Sequence, residues 1–141
     1  MSAQDLPDNE ADWRHILSPA QFHILRQAGT EPPFSSPLNQ EKQQGVYACA
    51  GCGQELFHAS MKFDSGTGWP SFFSVIEGRV ATRLDLHLST PRTEYHCARC
   101  GGHQGHLFED GPSPTGLRYC NNGVGLLFIP MTDRLPIHQD Y

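Results

Sequence analysis

Four of the five cysteines fall into two matched pairs, Cys49-Ala50-Gly51-Cys52 and Cys97-Ala98-Arg99-Cys100. Thiolates bind a borderline-soft ion such as Zn²⁺ well, and a two-residue spacer aims both sulfurs of a pair at one point. Glycine follows each pair, at Gly53 and at Gly101-Gly102, where a tight turn needs positive φ. The set predicts a tetrahedral zinc site held by Cys49, Cys52, Cys97 and Cys100, with iron or a metal-free redox pair as the other chemistries that four thiols allow. The 44 residues between Cys52 and Cys97 exceed the usual ribbon spacing, so the site must tie an early strand to a late one. A closed four-sulfur shell has no vacancy for substrate, which makes its role stabilising. Neither pair sits at a strand-to-helix junction, as a thioredoxin-type motif would.

Cys120 is the cysteine left over. A thiol becomes a reagent when positive charge, hydrogen-bond donors or a histidine favour its thiolate. Arg118 and Asn122 flank it at two-residue spacing, so an extended strand would place Arg118, Cys120 and Asn122 on one face. Alternatively, Cys120 would serve as a small buried hydrophobe in a core strand. His103 and His106 stand three apart in a glycine-rich frame directly after the second cysteine pair, which singles them out as candidate catalytic groups. The remaining histidines have no comparable frame.

The elements that must position these residues are short. At 141 residues the chain is predicted to form one domain with its own core. Its 38% hydrophobic content, 14 glycines and 11 prolines favour β structure joined by many turns. One helix is expected, over Asp12–Ala28, with Ser18 as a cap, Pro19 at the first helical position of its second part, Gln21 completing a capping box and Gly29 as the stop. Strands are expected over 45–48, 79–84, 93–96 and, buried, 125–129. Residues 1–11 read as a disordered segment, 12–130 as a single catalytic domain and 131–141 as a loose tail.

A net charge of −5 with arginines scattered from Arg79 to Arg134 gives no basic face for nucleic acid. The acidic start, Met1 to Glu10, lacks the basic and apolar parts of a secretion signal, and no run is apolar enough to span a membrane. With cysteines spaced for metal, this points to a reducing compartment, the cytoplasm.

Four segments occur in an order that resembles the motifs of the methionine-R-sulfoxide reductase B family. They are Gly29-Thr30-Glu31-Pro32-Pro33-Phe34, Lys62 to Ser71, Gly105-His106-Leu107-Phe108-Glu109-Asp110-Gly111-Pro112 and Thr115 to Asn122. The resemblance covers about Ser18 to Pro130. It implies a zinc-containing, mainly β fold of two antiparallel sheets with one N-terminal helix, the two knuckles joined by the four-cysteine site. It also implies reduction of the R epimer of methionine sulfoxide, peptide-bound or free, a repair reaction on oxidised methionine. Cys120 would be the nucleophile, with His103, His106 and Asn122 around it and Arg118 favouring the thiolate. Trp69 would receive the substrate methyl group, with Phe128 as a further substrate contact. Attack on a sulfoxide sulfur requires an acid on the departing oxygen, and His106 or His103 fits that need. An indole face near the sulfonium-like sulfur adds ~0.5–2 kcal/mol.

Two positions depart from the family pattern. Thr67, in Gly66-Thr67-Gly68-Trp69, stands where many members carry a recycling cysteine, and no sixth cysteine replaces it. The sulfenic acid on Cys120 is therefore expected to meet an external thiol directly, from thioredoxin, glutaredoxin or glutathione. Asn121 stands where an aliphatic residue is usual. Facing away from Cys120 on a strand, it should affect packing more than chemistry. The enzyme is expected to act as a monomer. The competing class is a zinc-stabilised binding module of related fold without turnover.

Overall fold

The computed structural model describes residues 6, 7, 9–86 and 91–131. Two helices begin the fold, where the sequence suggests one. α1 (Glu10–Ile16) is capped by Asn9, whose side chain accepts the Asp12 amide, and α2 (Pro19–Gln27) by Ser18 in the expected capping box with Gln21. The break has a local cause: Pro19 has no N–H to return to the preceding turn and holds Ser18 in extended backbone at φ −66°, ψ 161°. α2 also ends at Gln27, one residue earlier than expected. Ala28 takes the left-handed conformation, φ 53°, while Gly29 passes so close to His23 that a Cβ there would lie 2.3 Å from the ring. Glycine at 29 answers a close approach rather than a positive φ.

The strands are β1 (Gly45–Cys49), β2 (Glu55–His58), β3 (Lys62–Phe63), β4 (Ser71–Phe72), β5 (Val80–Asp85), β6 (Arg92–Cys97), β7 (His103–Phe108), β8 (Arg118–Asn121) and β9 (Leu126–Pro130). They form two antiparallel sheets, in the orders β2-β1-β9 and β3-β4-β8-β7-β6-β5. The four strands expected from sequence are present with slightly shifted ends. The last is not wholly buried, because β9 is an edge strand and Leu127 is exposed. Segments 1–5, 8 and 132–141 of the expected disordered start and tail lie outside the described residues. Leu6 packs against the core and α1 already includes Glu10. No helix among the described residues is long and apolar enough to cross a membrane.

An aromatic layer joins the sheets. Tyr47 and Phe57 of the small sheet meet Phe72, Tyr95 and Tyr119 of the large one, with Phe57 and Phe72 stacked at 3.9 Å between centroids. Trp13, Phe22 and Leu25 extend this core into the helices. Arg26 lies over the Trp13 ring and donates to the Cys100 carbonyl at 2.9 Å, fastening α2 to the second knuckle. Phe57→Ala would empty the middle of the aromatic layer, and a loss of about 3–5 kcal/mol is expected, measured by chemical denaturation.

Candidate active site and metal centre

The four paired cysteines converge. Cys49 ends β1 and Cys97 ends β6, and the turns after them bring all four sulfurs within 4.8 Å of one another, with Cys49–Cys100 and Cys52–Cys97 both at 3.6 Å. Gly53 and Gly101 have φ of 81° and 77°, as tight turns after the second cysteine require. The donors around the sulfurs suit thiolates: the Gly51 and Gly102 amides point at Cys49 and Cys100 at 3.4 Å, and the Gln104 side chain donates to Cys49 at 3.3 Å. Hydrogen bonding with Cys100 and then Cys49 draws Cys52 down to about 7. Contact with Cys100 conversely pushes the Cys49 thiol up, since four adjacent sulfurs cannot all carry charge without a cation between them. All-sulfur donors in this arrangement fit zinc.

Cys120 lies in a separate place, set by sheet register. Residues Arg83, Glu94, His106, Cys120, Ser71 and Phe63 are successive partners across β5, β6, β7, β8, β4 and β3. Direct partners share a face, so one row carries an acid, an imidazole, a thiol and a hydroxyl. Two residues along each strand, Asp85, Arg92, Phe108 and Arg118 make a parallel row on the same face. A cavity of about 240 Å³ opens over these rows, lined by Cys120, His106, Arg118, Asn122, Trp69 and Thr67 among others. The expected common face of Arg118, Cys120 and Asn122 is thus present.

His106 and His103 separate in role. His106 Nε2 lies 2.8 Å from Asp85 Oδ2 in a nearly buried pair. An ionised carboxylate only accepts, so Nε2 carries the proton and the ring orientation is held. His103 does not line the Cys120 cavity. It borders an adjoining one with His106, Asp85 and Glu94, its Nδ1 is 3.5 Å from Glu94 Oε1, and burial pushes its pKa down. A neutral His103 packs edge-on against the His106 ring at 5.5 Å.

The thiol itself is not activated at rest. Burial pushes the Cys120 pKa up, opposed by the Arg118 charge and by a hydrogen bond with Thr67, while Glu31 adds to the rise. The sequence expectation that Arg118 favours the thiolate gives the right sign, but desolvation outweighs it. Arg118 is held for this work by two hydrogen bonds to Asp110, at 2.8 and 3.1 Å, and by stacking on Phe108 at 4.2 Å.

The loop before the 3-10 turn at Pro37–Gln40 forms the opposite wall. The Glu31 amide donates to Asn122 Oδ1, its carbonyl accepts the Trp69 indole N–H, and its carboxylate accepts the Val124 amide, at 2.9, 2.9 and 2.8 Å. Asn122 spends both amide protons on the Gln104 and Gly29 carbonyls. It acts as a strap between loop and strand while facing the cavity. Behind β8, Asn121 is fully buried, accepts from Tyr95 Oη at 2.6 Å and donates to Gln104 Oε1 at 3.0 Å. Its side chain packs away from Cys120, as expected.

The SelR domain family matches residues 17–130 of this chain. Peptide methionine sulfoxide reductase MsrB of Methanosarcina mazei is 52% identical over 134 residues, 94% of this chain and 96% of the relative. The protein of the same name from Agrobacterium fabrum is 50% identical over 124 residues, 87% and 92% of the two chains. The chain belongs to the methionine-R-sulfoxide reductase B family. With membership comes the reaction class, reduction of methionine sulfoxide by a peptide methionine sulfoxide reductase. A crystal structure of the Mis18 "Yippee-like" domain, 16% identical, shares the fold at a TM-score of 0.51 over 63% of this chain and 98% of that one.

Of the residues assigned to the reductase site from sequence, His103 borders the adjoining cavity, and Phe128 lies farther off. It sits on β9 in the other sheet and packs on Tyr47 at 4.9 Å, because Tyr47 and Phe128 are register partners. The phenylalanine that lines the cavity beside Trp69 is Phe108, which lay in a quoted motif and had no assigned role. Glu31 also lay in a quoted motif. Asp85 had no signal in the sequence, since only strand pairing brings it to His106.

The buried thiol leads to a measurable consequence for the reductase. The fraction of Cys120 present as thiolate, and with it the alkylation rate by iodoacetamide, should keep rising with pH past the ordinary cysteine value of about 8.5. Arg118→Met should shift that midpoint further upward. A parent midpoint below 7 would show the thiolate to be the resting form.

Proposed function

We propose that this chain reduces the R epimer of methionine sulfoxide, in oxidised proteins, peptides or as the free amino acid, with Cys120 as nucleophile. The observation that carries the reading is that the one cysteine outside the metal cluster shares a cavity with His106, Arg118, Asn122 and Trp69. Residues 12–130 would act as one catalytic unit, as a monomer, in a cytoplasmic setting where small thiols are plentiful.

The steps balance as a two-electron exchange. The sulfoxide enters with its methyl group toward Trp69, whose indole is steadied by the Glu31 carbonyl. His106, when it carries a second proton, offers one N–H to Asp85 and the other to the sulfoxide oxygen. Protonating that oxygen makes the sulfoxide sulfur electrophilic, and the positive charge beside the thiol favours loss of the Cys120 proton to solvent. The Cys120 sulfur attacks and an S–S bond forms. The hydroxyl then passes from the methionine sulfur to Cys120 as the S–S bond breaks, and the bonding pair stays on the methionine sulfur, so that methionine leaves and Cys120 is left as sulfenic acid. Arg118 offsets negative charge on the sulfur throughout. The resting thiol, protected by burial, would ionise only as substrate completes the site.

Regeneration must come from outside. The other four cysteines form the metal cluster, so an external thiol condenses with the sulfenic acid, releasing water, and a second thiol resolves the mixed disulfide. Thioredoxin, glutaredoxin or a small thiol such as glutathione would serve. One structural zinc per chain, held by Cys49, Cys52, Cys97 and Cys100, would join β1 to β6 and add its binding energy to folding.

Cys120→Ser should abolish turnover of methionine-R-sulfoxide while the zinc content stays near one per chain; sustained turnover would reject the assignment. With racemic methionine sulfoxide and dithiothreitol, the parent protein should consume only half of the mixture. Without reductant, a single turnover should leave one sulfenic acid detectable by mass spectrometry on Cys120, and a disulfide to a cluster cysteine would reject direct recycling. Stripping the metal with a chelator should expose four further reactive thiols and lower the melting temperature, read by thiol titration and calorimetry.

A further inference from the structure

Thr67 is held beside the reacting sulfur by an arrangement of hydroxyls that the cavity itself does not require. Gly66 and Gly68, at φ of 75° and 98°, fold the chain sharply on either side of Thr67, and the Gly68 carbonyl is pinned by the Phe34 amide and the Asn39 side chain at 2.6 and 2.9 Å. The turn presents Thr67 to the Cys120 cavity. On one side Thr67 shares this cavity with the Cys120 sulfur, and hydrogen bonding from it acts to lower the thiol's pKa. On the other, its Oγ1 lies 2.8 Å from Ser65 Oγ, Ser65 Oγ lies 2.7 Å from Ser71 Oγ, and Ser71 donates to the Trp69 carbonyl at 3.1 Å. Ser71 is buried and is the direct cross-strand partner of Cys120, so the series starts at the sulfur and returns beside it.

Proton counting gives this series two states. Each hydroxyl has one proton to donate, and four links join the sulfur, Thr67, Ser65, Ser71 and the Trp69 carbonyl. With Cys120 protonated, four protons serve four links, all running away from the sulfur and ending on a carbonyl that only accepts. The Ser71 bond to Trp69 has that direction. When the thiol proton leaves to the cavity, three protons remain. Thr67 can then turn its hydroxyl to the anionic sulfur, Ser65 to Thr67 and Ser71 to Ser65, and the Trp69 carbonyl gives up its hydroxyl partner. Only the S–H bond breaks; the hydroxyls rotate about their C–O bonds.

We propose that Thr67 is the hydroxyl donor to the ionised Cys120 sulfur, and that Ser65 and Ser71 are positioning residues forming a reversible chain behind it. The chain holds the thiol form at rest, because ionisation sacrifices one link. It also supplies the thiolate with a charge-assisted donor, the stronger kind of hydrogen bond, from the side opposite to Arg118. The charged and titratable groups around the sulfur are Arg118 on β8, His106 on β7, Arg92 and the buried Tyr95 on β6 and Glu31 on the loop, and none belongs to the chain. The inference deepens the reading of Cys120 as the reductase nucleophile and rests on it for its use in catalysis.

The two chain positions should respond with opposite sign. Thr67→Val keeps the shape and removes the donor, whereas Ser65→Ala deletes the acceptor that draws the Thr67 hydroxyl away from sulfur. In Ser65→Ala two links survive in either protonation state, so ionisation no longer costs a link. The test is iodoacetamide alkylation of Cys120 in the zinc-loaded protein across pH, without substrate, followed on the Cys120 peptide by mass spectrometry. Thr67→Val should raise the midpoint by about one pH unit, slowing alkylation about ten-fold at neutral pH; Thr67→Ser should titrate with the parent, and Ser65→Ala should titrate below it. A Thr67→Val midpoint equal to the parent's, or a Ser65→Ala midpoint above it, overturns the proposal. Should Thr67→Val fail to fold, the sign for Ser65→Ala decides alone. Absence of methionine-R-sulfoxide turnover by the parent protein would instead reject the catalytic reading, leaving the titration result interpretable.

Discussion

Side chains on a strand alternate between faces, so a slip of one residue between β7 and β8 would turn Cys120 into the core and bring Asn121 into the cavity. The pairing of His106 with Cys120 is therefore the constraint from which the site follows. Several contacts on the hidden face lock it. Gly105 pairs with Asn121 and Tyr95, and a Cβ there would lie 1.9 Å from the Cys120 carbonyl, so only glycine lets the two strands approach in this register. With no side chain at that position, the Tyr95 hydroxyl crosses from β6 to meet Asn121 on β8. A slipped pairing would leave these buried polar groups without partners, at a cost of about 1–3 kcal/mol each.

That hidden face also reaches the metal centre. Gln104 donates to Cys49 through its side chain, accepts from Asn121 at the side-chain carbonyl and accepts from Asn122 at its backbone carbonyl. The sulfur cluster and the Cys120 strand are thus neighbours in one hydrogen-bonded series, although the four clustered cysteines do not line the cavity. Asn121, which departs from the aliphatic residue usual in the family, is satisfied by this series. A polar residue in that core position is costly only when unpaired.

On the cavity face, charge and burial are set against each other. Arg118 lowers the cost of a thiolate, and its own position is secured by Asp110 and Phe108. Desolvation of the sulfur is the larger effect, so the Cys120 pKa lies above its ordinary value. Burial acts on His103 in the same sense by favouring the neutral form, whereas His106 is hydrogen-bonded to Asp85 across the sheet. The two histidines, three apart in sequence, are thereby given different surroundings by a single bulged strand pairing between β6 and β7.

Much of this was legible from residue types and spacing. The two C-x-x-C pairs with their trailing glycines predict a convergent sulfur site because metal coordination imposes a local geometry on a local motif. Arg118, Cys120 and Asn122 share a face because strand periodicity is local too, and Ser18-Pro19 marks a helix start by backbone chemistry alone. The same local reading joined α1 to α2, since the break depends on what Pro19 does to the residue before it. Tertiary structure alone decided which strands lie side by side. That choice brings Asp85 to His106 across two strands, sets Ser71 beside Cys120, puts Phe108 rather than Phe128 in the cavity and moves His103 behind His106. Chain order carries no direct record of such pairings, because register is settled by the sum of packing and buried hydrogen bonds over the whole sheet, and the rise in the Cys120 pKa depends on that burial.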